Sequence, residues 1–121
     1  MSLPFEINEY SARLARVRAA MAVRDLDMLV LTDPSNMGWL TGYDGWSFYV
    51  HQAVIVTHDA DPLWWGRAQD VAGARRTVWM AEGCCVGYGE HYIQTPDCHP
   101  MEDLQRHLKG RIGVEMDNYY F

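Results

Sequence analysis

Histidines, cysteines and carboxylates are the groups here that could run chemistry, and their spacing limits what they could do. The five histidines, His51, His58, His91, His99 and His107, form no HxH, HExxH or HxxxH pair. No strand or helical turn therefore aims two imidazoles at one metal ion. His58–Asp59–Ala60–Asp61 has the look of a metal loop, but it reads first as a polar hairpin turn, because Asp accepts local backbone hydrogen bonds. The three cysteines, two of them adjacent at Cys84 and Cys85, make neither a disulfide framework nor a CxxC site. In a strand those two would face opposite sides as small core residues. Ser35 and Ser47 lie outside any GxSxG elbow. Gly42–Tyr43–Asp44–Gly45 is followed by no Lys–Ser/Thr pair, so it is not a phosphate loop. An autonomous active site is not legible.

What remains is aromatic. From Pro34 to Val56 the chain reads PSNMGWLTGYDGWSFYVHQAVIV, gathering Trp39, Tyr43, Trp46, Phe48 and Tyr49 around two glycines before an apolar strand. Such a segment is costly to leave in water. Strand-like alternation puts Trp46, Phe48 and Val50 on one side and Ser47, Tyr49 and His51 on the other. Three readings stay open. One face is simply core; or the segment is a subunit interface, where Trp and Tyr are favoured; or it walls a ligand site, with His51, Tyr49 or Gln52 as polar handle.

The elements that would carry this segment follow from periodicity. Tyr10, Leu14, Val17 and Met21 form one apolar helical stripe, with Asn8 as N-cap and an exit at Arg24–Asp25. Arg13, Arg16, Arg18 and Arg24 then fall on a solvated polar face. Met28 to Leu31 is a short buried strand, and Pro34 starts a short helix over Asn36 to Leu40, whose Trp39 and Leu40 cover the sheet. Ala53 to Thr57 and Leu63 to Trp65 are strands joined by a hairpin turn. A helix spans about Ala68 to Met80, stopped by Gly83, and Cys84 to Gly87 is a strand. Pro100 opens a third helix through Met101, Leu104 and Leu108, and Ile112 to Glu115 is a last strand. Helices alternating with short apolar strands predict an α/β fold with a partly parallel sheet and a hairpin inside it.

Composition excludes several classes. The chain of 121 residues is one domain, and its formal net charge of −6 is wrong for a nucleic-acid binder. No apolar run reaches the ~20 residues of a membrane span. Met1 to Glu9 has no signal-peptide pattern, so the expectation is a cytoplasmic protein with free thiols. The end on Tyr119, Tyr120 and Phe121 suggests a fragment.

Several of these strings resemble a known family. YSARLARVRAAM, LDMLVLTDPSN and WLTGYDG are similar to the N-terminal domain of the creatinase, prolidase and aminopeptidase P family. PSNMGWLTGYDGWSFYVHQ, WWGRAQDVAGARRT, HPM and IGVEMDNYYF look most like the ectoine hydrolases within it. The resemblance runs from Tyr10 to Phe121. It implies a mixed β-sheet flanked by helices (ribonuclease H-like), truncated at its C-terminal end. It also implies that residues 1–121 are a non-catalytic domain and that the C-terminal pita-bread catalytic domain lies outside this chain. Any divalent metal belongs to that domain, with none held here.

In this family the N-terminal domain builds a homodimer and reaches over the partner subunit's active site. The resemblance accordingly gives Trp46, Phe48, Tyr49 and His51 the role of a substrate-binding lid, with no catalytic or metal residue. Phe48 matches the aromatic position that touches substrate in creatinases; Val50 stands where they carry an arginine. The implied partners are a second copy, the catalytic domain and a small-molecule or dipeptide substrate, with no nucleic acid and no membrane. The alternatives are a free-standing module whose aromatic loop 43–51 binds a small cation or zwitterion, and a plain interaction domain.

Overall fold

The computed structural model describes residues 5–45, 51–89, 92 and 98–115, and Glu82 by its backbone alone. Helix α1 (Ile7–Val23) is followed by β1 (Met28–Leu31), α2 (Pro34–Thr41), the hairpin of β2 (Ala53–Thr57) and β3 (Leu63–Arg67), α3 (Val71–Thr77), β4 (Cys85–Tyr88), α4 (Pro100–Leu104) and β5 (Ile112–Val114). The strands form one sheet in the order β4-β3-β2-β1-β5. β1 and β3 each run antiparallel to β2, while β4 pairs with β3 and β5 with β1 in parallel. This is the mixed α/β sheet, with an internal hairpin, that the alternation of helical and strand patterns predicts.

Side chains alternate across a strand, so the sheet has two apolar faces. On one, Leu31, Val54, Val56, Trp64 and Cys85 pack under Leu14, Met21, Met37, Leu40 and Ala74 of α1, α2 and α3. On the other, Met28, Val30, Ala53, Ile55, Trp65 and Tyr88 meet Leu104 of α4. β3 supplies an indole to each face, Trp64 to the first and Trp65 to the second, and both are completely buried.

Several local expectations shift. The α1 N-cap is Glu6, with Asn8 inside the helix. The helix expected over Ala68 to Met80 is a 3-10 turn (Ala68–Asp70) and then the shorter α3, which ends at Thr77. Likewise α4 ends at Leu104 and gives way to a 3-10 turn (Gln105–His107). Cys84 ends a 3-10 turn (Glu82–Cys84) and is not paired in β4, so both adjacent cysteines pack against the same core.

The arginines of α1 are not all solvated. Arg13 is 7% exposed. Its guanidinium donates to the Trp39 carbonyl at 2.6 Å and to Glu9 Oε1 at 3.2 Å. It also lies 4.3, 5.4 and 5.2 Å from the ring centroids of Phe5, Tyr10 and Trp39. Trp39 therefore covers Arg13 while staying 41% exposed, and the sheet is covered by Leu40. Arg18 reaches the other way, donating to the carbonyls of Thr57, at 2.8 Å, and Ala60 and so tying α1 to the β2–β3 hairpin. Periodicity alone sees a charged side chain as solvated; it cannot see a carbonyl brought near from 26 or 39 residues away.

The far end of the fold is tied back by Glu115. Its carboxylate accepts from the backbone N–H groups of Thr32 and of Asp33, the latter at 3.0 Å, and from Asn36 Nδ2 at 2.6 Å. That satisfies donors at the start of α2, where a negative charge is also favoured. Asp33 completes the cap by accepting from Ser35 N at 2.8 Å.

Replacing Trp65 by Phe tests the second face, because the Trp65 indole N–H donates to the buried Asp103 carboxylate at 2.8 Å. Trp65→Phe leaves that oxygen without its donor, and we expect a loss of about 1–3 kcal/mol in urea-denaturation stability. Restoring a neutral partner with the double variant Trp65→Phe/Asp103→Leu should recover part of it.

Candidate functional site

The groups nearest to a functional arrangement flank the aromatic segment on both sides. On the N-terminal side α2 ends at Gly42, whose left-handed backbone (φ 85°) closes the helix with an N–H bond to the Gly38 carbonyl at 2.8 Å. Thr41 Oγ1 donates to the Met37 carbonyl at 2.6 Å and accepts from Tyr43 N at 3.1 Å. These bonds aim Tyr43 into the core, where its hydroxyl donates to Gln52 Oε1 at 2.7 Å. Tyr43 and Gln52 bracket residues 44–51, so this one bond closes the neck of the segment. Asp44 N adds a bond to Thr77 Oγ1 at 3.2 Å. Gly45 lies directly on the Tyr43 hydroxyl: a Cβ there would sit 2.1 Å from it, so a larger residue would have to displace the Tyr43 ring.

Burial first, then the charges of Asp70 and Asp44, push the Tyr43 phenol well above its ordinary pKa, against the smaller opposing effect of the Trp64 indole N–H turned toward the phenol oxygen. It remains a protonated donor at any physiological pH. Gln52 is 3% exposed, and its Oε1 is taken up by Tyr43.

On the C-terminal side stands His51. Its carbonyl accepts from the Tyr88 hydroxyl at 2.7 Å. Its half-buried ring lies against His99, with centroids 4.8 Å apart and planes tilted 54°. His99 is held in turn: as N-cap of α4, its Nδ1 accepts from Met101 N at 3.1 Å. With Nδ1 accepting, the neutral His99 ring carries its proton on Nε2, so neither nitrogen is open for a metal. Burial, and secondarily His99, lower the His51 pKa below 6.5. His51 is thus a neutral, half-buried imidazole suited to hydrogen bonding rather than to carrying charge.

Of the four expected lid residues, only His51 is among the described residues; Trp46, Phe48 and Tyr49 lie outside them. Sequence reasoning missed His99 as the neighbour of His51, although His99–Pro100 is a recognisable helix start. Among the described residues no group of three His, Cys, Asp or Glu side chains could hold a metal ion. The Cys84 and Cys85 thiols are poor nucleophiles. Burial raises both, Cys84 aided by Asp61, and Cys85 reaches about 11. No described helix is long and apolar enough to cross a membrane.

The family model for the creatinase/prolidase N-terminal domain matches residues 13–121. The chain is 52% identical to an ectoine hydrolase from Halomonas elongata, over all of this chain and 32% of that protein. It is 37% identical to an uncharacterized hydrolase/peptidase of Sinorhizobium fredii, over 98% of this chain and 32% of that one. It thus spans about a third of the length of the curated relatives it matches. Among solved structures it is similar to a proline dipeptidase from Streptococcus pneumoniae, with a TM-score of 0.69 and 25% identity, covering 88% of this chain and 75% of that one.

Two outcomes test the geometry. Tyr43→Phe leaves a buried Gln52 acceptor without its donor and should cost about 1–3 kcal/mol in urea denaturation. For His51, the folded pKa lies below the unfolded one, so the unfolded chain takes up the proton first as pH falls. The contribution to stability is full above about pH 6.5 and declines below it, toward the folded midpoint. Urea midpoints measured across that window should fall with pH, and His51→Phe should flatten the slope.

Proposed function

The chain belongs to the creatinase/prolidase N-terminal domain family, and from that premise we propose that it is the non-catalytic, substrate-capping domain of a C–N bond hydrolase. The observation that carries this is 52% identity to an ectoine hydrolase across the full chain. Catalysis then belongs to a C-terminal pita-bread domain outside these 121 residues, together with any divalent metal. What supports a capping role is the braced neck, where the Tyr43 hydroxyl donates to Gln52 Oε1.

In this reading two copies pair, and each lends Trp46, Phe48, Tyr49 and His51 to the neighbouring active site. Aromatic faces supply shape and attract the cationic part of a small substrate. His51, neutral near pH 7, donates or accepts one hydrogen bond without demanding a counter-charge. Val50, standing where creatinases carry an arginine, leaves the lid without a carboxylate clamp. A compact cyclic zwitterion such as ectoine, which presents delocalised charge, suits that lid better than creatine does.

The test uses the full-length protein. Trp46→Ala, Phe48→Ala and His51→Phe should each lower kcat/KM for ectoine about tenfold or more. Mixing a lid variant with a variant disabled in the catalytic domain should restore activity in the mixed dimer, since the one catalytically intact site then finds an intact lid from its partner. Failure to complement would show that the lid serves its own subunit. Turnover of ectoine or Xaa-Pro dipeptides by the 121-residue chain alone, with divalent metal added, would overturn the proposal.

A further inference from the structure

The two-sided alternation of β2 reaches back past its first residue. Val54 and Val56 belong to the face of Trp64 and Tyr43, and the Gln52 side chain joins that face through Tyr43. Ala53 and Ile55 belong to the face of Trp65, Tyr88 and Leu104. His51 falls with them, and its ring lies 4.8 Å, between centroids, from that of His99 at the head of α4. The imidazole bordering the aromatic segment therefore rests on a helix that begins far along the chain.

The contacts around His51 close into a circuit. Its carbonyl accepts from the Tyr88 hydroxyl at 2.7 Å, and the Tyr88 ring lies 4.7 Å from that of Trp65. The Trp65 N–H donates at 2.8 Å to the buried carboxylate of Asp103. Asp103 belongs to α4, the helix that His99 caps, and from His99 the circuit returns to the His51 ring. His99 is itself fixed. Its Nδ1 accepts from Met101 N at 3.1 Å, which sets the plane of the ring, and buried Pro100 follows it. An imidazole held by its backbone alone would still turn about its side-chain torsions, and a fixed ring packed on it stops that turning.

We propose that His99 is a positioning residue, whose capped ring holds the His51 imidazole in a single orientation. It touches no substrate and acts through His51. The residue type suits both tasks at once. The short Asn, Asp or Ser usual at an N-cap satisfies the helix but offers no ring to pack against. Phe offers a ring but no acceptor. Histidine has a ring with an accepting nitrogen beside its attachment point, so it caps α4 and supports His51 together. The consequence for turnover rests on the capping role of His51; the hold on its ring does not.

Two variants separate the tasks. His99→Asn keeps an N-cap acceptor and removes the ring, whereas His99→Phe keeps a ring and removes the acceptor. In nuclear magnetic resonance titrations of the chain, His99→Asn should raise the His51 midpoint, because burial and then the His99 charge hold it down. His99→Phe, which still covers the ring, should keep that midpoint low. In the full-length protein His99→Asn should lower kcat/KM for ectoine about two- to tenfold, the cost of ordering one side chain on binding. That loss should vanish in a His51→Phe background, since His99 acts through His51. An unchanged His51 midpoint in His99→Asn would overturn the proposal, as would an equal loss in the His51→Phe background. If His51→Phe itself leaves kcat/KM unaltered while the midpoint still shifts, the capping role fails and the hold of His99 on His51 stands. Should His99→Asn not fold, the unaltered chain decides. Nuclear Overhauser contacts between the two imidazoles support the proposal, and their absence overturns it.

Discussion

A β-strand must send successive side chains to opposite faces, and on β3 two neighbouring positions are tryptophans. With strands on both sides of β3, neither indole can escape to solvent. Trp64 therefore requires α1, α2 and α3 on one face, and Trp65 requires α4 on the other. Removing either ring would cost about 3–5 kcal/mol, a large part of the stability of a domain this size. The burial is apolar in origin, but each indole brings one N–H that must be dealt with. On the α4 side a carboxylate answers it directly. On the other side the Trp64 indole lies against Tyr43, with ring centroids 5.4 Å apart.

The polar groups that look functional are thus coupled to the core rather than placed on it. Tyr43 is oriented by the end of α2, and α2 begins at a cap completed by Glu115 from the far edge of the sheet. Gln52 immediately precedes the strand that pairs with β3, and the His51 carbonyl is held by Tyr88 from β4. Both flanks of the aromatic segment are therefore held by elements distant in sequence. A capping role benefits from this, because a rigid support lowers the entropy lost when the segment meets a ligand. The solved structure it resembles shares the fold, and the 52% identical relative is an ectoine hydrolase.

The chain announces its elements through local rules. Met28 to Leu31 is bounded by aspartates, Pro34 sits where a helix begins, and the Ala53–Thr57 run is β-branched between turn residues; each became the expected element. The stripe of Tyr10, Leu14 and Met21 is buried as its spacing requires. Where local rules failed, a long-range partner was at work or helical bonding gave out early. Arg13 and Arg18 left the solvated face because the Trp39 and Thr57 carbonyls came within reach. The stretch from Ala68 to Met80 kept only seven α-helical residues, Val71–Thr77.

Apolar periodicity, turn residues and family-like strings were enough to determine an α/β domain with an aromatic segment set between α2 and β2. Those signals act over a few residues and are written along the chain. Tertiary structure alone decided that Tyr43 and Gln52 meet, that His51 lies on His99 with a lowered pKa, and that the Trp64 ring packs against Tyr43. Each of these depends on side chains brought together by sheet register and helix docking, and such contacts leave no pattern in the order of the residues. The sequence specified which groups could act; packing specified which of them touch.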